Sequence, residues 1–189
     1  MIKKSDKYSY ATGTRYMDHG QRRYDVAGER LPSVTTILGR TKDDTFLKDW
    51  IKKKGKAEAE RIKVASATRG TSMHKYLENY VLGKGYEDLT ELGQETKRMA
   101  QKVIELGLAP VSEYFGSEVT LYYPGLYAGS TDLVGIHNDK ETVIDFKQAN
   151  RPKREEWIGD YKLQAAAYAM AHDQVHGSNI EQCLSLIHI

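Results

Sequence analysis

An α/β domain built on a small mixed sheet is the fold class this sequence predicts, and three observations predict it. Apolar residues recur at helical spacing as far as Leu106 and then change to strand-like spacing. Three short runs follow, at 111–123, 127–137 and 141–148, bounded by Pro124-Gly125 and by Asn138-Asp139-Lys140, the pattern of an antiparallel meander. A helical stretch after Pro152 and an apolar run from Ile180 then add a helix and a last strand to the same domain.

The elements follow in chain order. Residues 1–32, rich in Tyr, Arg and Gly with a turn signal at Asp18-His19-Gly20, read as one or two short strands. Ser33 is placed to cap a short helix whose first turn holds Val34, Ile37 and Leu38. A helix over 43–67 carries Phe46, Leu47, Trp50 and Ile51, with Gly55 as a break or bend. A second, over 68–82, carries the stripe Met73, Tyr76, Leu77 and Tyr80 and stops at Gly83. A third, over 93–106, carries Met99, Val103, Ile104 and Leu106. After the meander, a helix over 153–176 begins behind Pro152, where proline is tolerated. On that helix Trp157, Tyr161, Gln164 and Tyr168 share one face, a core stripe interrupted by a glutamine. An unpaired buried amide costs about 1–3 kcal/mol, so Gln164 needs a partner.

The 189 residues suit one domain, expected over 1–183. Residues 184–189 match one frame of a transposase-end adapter used in sequencing libraries, which would make them an artefact on a chain cut near Cys183. Read as protein, the same hexapeptide is an apolar strand. With 40% hydrophobic and 29% charged residues the chain is globular, not disordered. Its lone cysteine, Cys183, excludes a disulfide framework or a cysteine-ligated zinc or iron–sulfur site within it. The start of the chain lacks the apolar run of a signal peptide, and no apolar stretch is long enough to span a membrane, so the expected location is cytoplasmic. A net charge of +2 neither announces nor excludes a nucleic-acid partner.

The chemistry concentrates between Gly129 and Lys147. Asp132 falls on the second strand of the meander and Asp145 on the third, so two carboxylates at neighbouring strands can meet over one divalent metal. Magnesium and manganese favour such oxygen ligands. Residues two apart on a strand share a face, so Asp145 and Lys147 project together while Phe146 points into the core. A lysine beside a metal-bound carboxylate can position or deprotonate a water, or stabilise charge on a phosphate. An isolated Asp-x-Lys is an ordinary surface pair. Here Val143-Ile144 precede it, and a buried strand seldom ends in charge without a partner or a task.

Four motifs in order resemble the RecB-like branch of the PD-(D/E)xK nuclease superfamily. They are Arg69-Gly70-Thr71-Ser72-Met73-His74, Gly129-Ser130-Thr131-Asp132, Ile144-Asp145-Phe146-Lys147, and Gln164-Ala165-Ala166-Ala167-Tyr168. Leu31-Pro32-Ser33-Val34-Thr35 is similar to a segment of phage exonucleases and of the mitochondrial genome maintenance exonuclease. The resemblance covers roughly 24–183. It implies a restriction-endonuclease-like core with an N-terminal helical part. It also implies a Mg2+- or Mn2+-dependent exonuclease acting on single-stranded DNA or duplex ends, in phage or host DNA processing, recombination or repair. His74, Asp132, Asp145 and the Phe146 carbonyl would hold the metal, Lys147 would be the catalytic lysine, and Gln164 and Tyr168 would orient the site and the DNA.

Glu78 lies one helical turn beyond His74 and is either a partner fixing the imidazole, a ligand to a second metal, or a solvated glutamate. Ser33, Thr35 and Thr36 at a helix start are candidate phosphate contacts, as are Arg69 and Lys153 above the other basic residues Lys52, Lys53, Lys54, Lys75, Arg151 and Arg154. Tyr161 and Tyr168 are candidates for contacting DNA. The alternatives are a structure-specific endonuclease on the same core and a catalytically silent DNA-binding module; the intact set Asp132, Asp145 and Lys147 counts against the latter.

Overall fold

The alternation of the meander strands determines the architecture. A computed structural model of the chain describes residues 2–150 and 152–188. In it β5 (Val111–Tyr123), β6 (Tyr127–His137) and β7 (Lys140–Gln148) run antiparallel, as the sequence predicts. β1 (Lys3–Lys4) adds to β5 in parallel and β8 (Gln182–His188) adds to β7 in parallel, giving a mixed five-stranded sheet ordered β1-β5-β6-β7-β8. Facing pairs alternate: Leu133 and Ile144 enter one core, and Val134 and Val143 enter the other.

Helices cover both faces. α3 (Lys56–Val81) and α4 (Glu91–Val103) bring Met73, Leu77, Met99 and Val103 onto Leu133, Ile144 and Phe146. α5 (Gly159–His176) and α1 (Val34–Thr41) bring Tyr168, Ala171 and Val34 onto Phe115, Val134 and Val143. Among the described residues no helix is long and apolar enough to cross a membrane.

Four expectations change. The first 32 residues hold β1 and a separate antiparallel sheet of β2 (Gly13–Asp18), β3 (Gln21–Val26) and β4 (Glu29–Pro32), not one or two strands. The overlooked turn is Ala27-Gly28, both left-handed at φ 52° and 81°; the hairpin twist demands that conformation, which alanine does not signal. The helices expected to divide between 67 and 68 are one helix, α3. Thr68, read as a start, instead donates its hydroxyl to the Val64 carbonyl 3.0 Å away within the helix. The real break is at Gly55, φ 85°, which separates α3 from α2 (Thr45–Lys54). The helix expected from 153 begins at Gly159, after a 3-10 turn at Glu155–Trp157, so Lys153 does not start it and Trp157 is 54% exposed instead of joining the core. Tyr80 likewise turns outward from the α3 stripe. Residues 182–188 form β8 along β7, with Leu184 and Leu186 packed against the α3–α4 core.

Candidate functional site

A fork in the sheet creates the site. The β6–β7 ladder ends at Leu133 and Ile144, while β6 continues along β5 to Tyr127 and β7 continues along β8 to Gln148. Side chains replace the missing backbone bonds. Thr131 Oγ1 donates to the Ile144 carbonyl at 3.2 Å, and Asp132 Oδ2 accepts the Phe146 N–H at 2.5 Å. Asp132 is thereby fixed in the mouth of the fork, its second oxygen 3.1 Å from His74 Nδ1, which reaches in from α3.

From the opposite face α5 supplies Gln164. Its Nε2 donates to Asp145 Oδ1 at 3.4 Å, its Oε1 accepts from Lys147 Nζ at 3.4 Å, and its Nε2 also reaches the Tyr168 hydroxyl at 3.1 Å. The partner that a half-buried glutamine requires is therefore the Asp145–Lys147 pair. Phe146 points the other way into the α3–α4 core, as strand alternation requires, with its ring edge-on to His74. Gly129 has a steric reason: a Cβ there would lie 2.5 Å from the Tyr168 ring.

The electrostatics are crowded. Asp145, with its side chain 8% exposed, forms an ion pair with Lys147 through its buried Oδ2. Burial raises the Asp145 carboxyl; Lys147 opposes this and Asp132 reinforces it. For His74 burial pulls the imidazole down, but the bond to Asp132 and the Asp132 charge outweigh it, and the net shift is upward. Lys147 Nζ also stands 5.4 Å over the Tyr161 ring, so Tyr161 faces the lysine.

The sequence motifs missed Glu118. Its carboxylate oxygen, an imidazole nitrogen of His74 and a carboxylate oxygen of Asp132 all lie within 4.8 Å of one another. Desolvation and repulsion from Asp132 raise its carboxyl to about 7, although much of the residue's surface remains open. A signal for it existed. Ser117 pairs with Leu133 and Val119 with Thr131, so counting outward from the Pro124-Gly125 turn brings Glu118 opposite Asp132. Glu78 is outside this group, near enough only for its charge to add to the rise at Glu118.

The expected DNA contacts divide. Tyr168 is buried under Gly129, so its ring supports Gln164 and is closed to a base. Ser33 is buried too: it caps α1 by accepting from Thr36 N at 3.0 Å, and its hydroxyl joins those of Thr35 and Thr36 in one network. A bridge from Ser33 to Ala128 nevertheless sets this helix start beside Gly129. Arg69 is engaged by Glu95 and Asn150, which makes it a clasp between α3, α4 and the end of β7. Lys153 is exposed in the segment after β7, and Arg151 lies outside the described residues. No protein-family model and no curated protein matches the chain.

Proposed function

We propose that the chain is a metal-dependent deoxyribonuclease on a restriction-endonuclease-like core, acting as an exonuclease on DNA ends. The observation that carries this reading is the fork, where Asp132, Asp145, Lys147 and Gln164 converge from β6, β7 and α5 and His74 enters from α3. Such a donor set fits Mg2+ or Mn2+. It offers carboxylate oxygens and one imidazole, with His74 Nδ1 and Asp132 Oδ1 3.1 Å apart.

His74, Asp132, Asp145 and the Phe146 carbonyl would hold the ion. When bound, it would lower the pKa of a water and neutralise charge on the scissile phosphate. The remaining work falls to the protein's own groups. Lys147, held by Asp145, Gln164 and the Tyr161 ring, is positioned to orient the attacking water and to offset charge as the phosphate becomes pentavalent. Gln164 keeps the Asp145–Lys147 pair aligned, and Tyr168 keeps Gln164 aligned. Phosphate contacts come from the exposed Lys153 and from the α1 start near Gly129.

End-labelled single- and double-stranded DNA tests the reading, with Mg2+ and with a chelator. Expected is loss of label from linear DNA with Mg2+ only, with a closed single-stranded circle left intact. Cleavage of the circle replaces the exonuclease with an endonuclease on the same core. DNA binding with no cleavage at any Mg2+ or Mn2+ concentration leaves a silent binding module and overturns the proposal.

A further inference from the structure

We infer that Glu118 is a further ligand of the cation held at this site, entering on the His74 side of Asp132; the inference rests on the nuclease reading. An octahedral ion with bonds of about 2.1 Å holds opposite ligands about 4.2 Å apart. The three ligand atoms of His74, Glu118 and Asp132, all within 4.8 Å of one another, need only a small closure to meet that geometry. The elements that position them are independent: His74 comes from α3, Glu118 from β5 and Asp132 from β6.

Two further observations point the same way. Among the described residues, the carboxylates Glu118, Asp132 and Asp145 have His74 and Lys147 as close cations, which leaves a negative excess. Glu118 in addition has φ 53°, a left-handed backbone inside a strand whose flanking pairs remain in register. Glycine would take that conformation freely, whereas glutamate does so at a cost.

The test is calorimetric titration of the metal-free full chain with Mn2+, for the wild type, Asp132→Asn, Glu118→Gln, Glu118→Gly and Glu113→Gln as a control acid on the same strand. Expected is binding that Asp132→Asn abolishes, that both Glu118 variants weaken at least tenfold, and that Glu113→Gln changes less than twofold. Glu118→Gly should also melt no lower than wild type without metal, because glycine relieves the left-handed backbone, and this separates lost ligation from lost fold. Unchanged Mn2+ affinity in both Glu118 variants, beside a dead Asp132→Asn, overturns the role of Glu118 and leaves the nuclease reading intact. A wild type that binds no Mn2+ overturns both.

Discussion

Two histidines sit in polar clusters on opposite faces of the same sheet, and their surroundings differ in kind. His172 on α5 has partners at both ring nitrogens, the Tyr10 hydroxyl at 3.0 Å and the Ser178 hydroxyl at 2.6 Å, with Tyr8 edge-on to its ring. Burial and the neighbouring His176 lower it to about 4, so it is neutral and hydrogen-bonded at neutral pH. His74 on α3 meets a carboxylate instead, and the Asp132 charge raises it despite burial. The first cluster is closed: Ser178 links His172 to Asp173, and Tyr8 and Lys7 hold Glu141. The second sets two carboxylates, Glu118 and Asp132, against His74, with a third, Asp145, paired to Lys147. A polar cluster that serves the fold satisfies itself, whereas one that serves a ligand leaves part of its capacity open.

The sharpest way to break this contrast is cleavage. If the His74 side carries the chemistry, Lys147→Ala should lower the rate by about 10²–10⁴ while Mn2+ binding persists, because it removes a proton-handling group but no ligand. His172→Gln should leave the rate per folded molecule within a few-fold. A Lys147→Ala enzyme with full activity would refute the assigned mechanism.

Stability should reverse the order. His172 is fully buried, so His172→Ala leaves a cavity and strips partners from Tyr10 and Ser178. The expected loss is about 2–4 kcal/mol, read from urea unfolding. Asp145→Asn in metal-free protein should instead be neutral or stabilising by about 1 kcal/mol, since it removes one of the crowded charges at a site where function and stability compete. A large destabilisation there would mean that the Asp145–Lys147 pair serves the fold.

The pH dependence separates the clusters again. His172 is lowered from its ordinary 6.5 to about 4, so between those values the unfolded chain binds the extra proton. Its contribution is complete above 6.5 and is lost as pH falls through 4, by up to about 3 kcal/mol. The groups facing it are His176 and Asp173 on α5, Lys7, Tyr8 and Tyr10 on the N-terminal segment, Glu141 on β7, and Ser178. Unfolding curves at pH 7, 5.5 and 4 should show a steeper decline for wild type than for His172→Gln; parallel declines would remove His172 from the acid response.

These two regions were not equally readable in the sequence. Asp132, Asp145 and Lys147 were, because a buried strand that breaks its apolar alternation with charge marks itself. The meander was readable from its turns. Glu118 was not, since its meaning comes from register across the β5–β6 hairpin and its own neighbours, Ser117 and Val119, form no motif. The His172 cluster was invisible for a similar reason: Tyr8 and Tyr10 meet α5 more than 160 residues later, through the Tyr10–His172 contact. Local periodicity also misplaced the start of α5, because proline tolerates a helix start without requiring one. Trp157 went with it, since its helical spacing to Tyr161 exists only if the helix begins earlier than Gly159.

Tyr161 gives the smallest effect and tests how finely the open cluster is built. Its ring lies under Lys147 Nζ at 5.4 Å, and such a contact is worth about 0.5–1 kcal/mol where water has access. Tyr161→Phe keeps the ring and should cleave like wild type if the ring alone matters. Tyr161→Leu keeps apolar bulk and loses the π-face, so cleavage should fall about two- to five-fold, in proportion to that energy. If the hydroxyl instead contacts DNA, Tyr161→Phe should weaken substrate binding and leave the turnover of bound DNA unchanged. The split between KM and kcat therefore decides whether Tyr161 acts on the lysine, as the geometry has it, or on the substrate, as its residue type alone suggested.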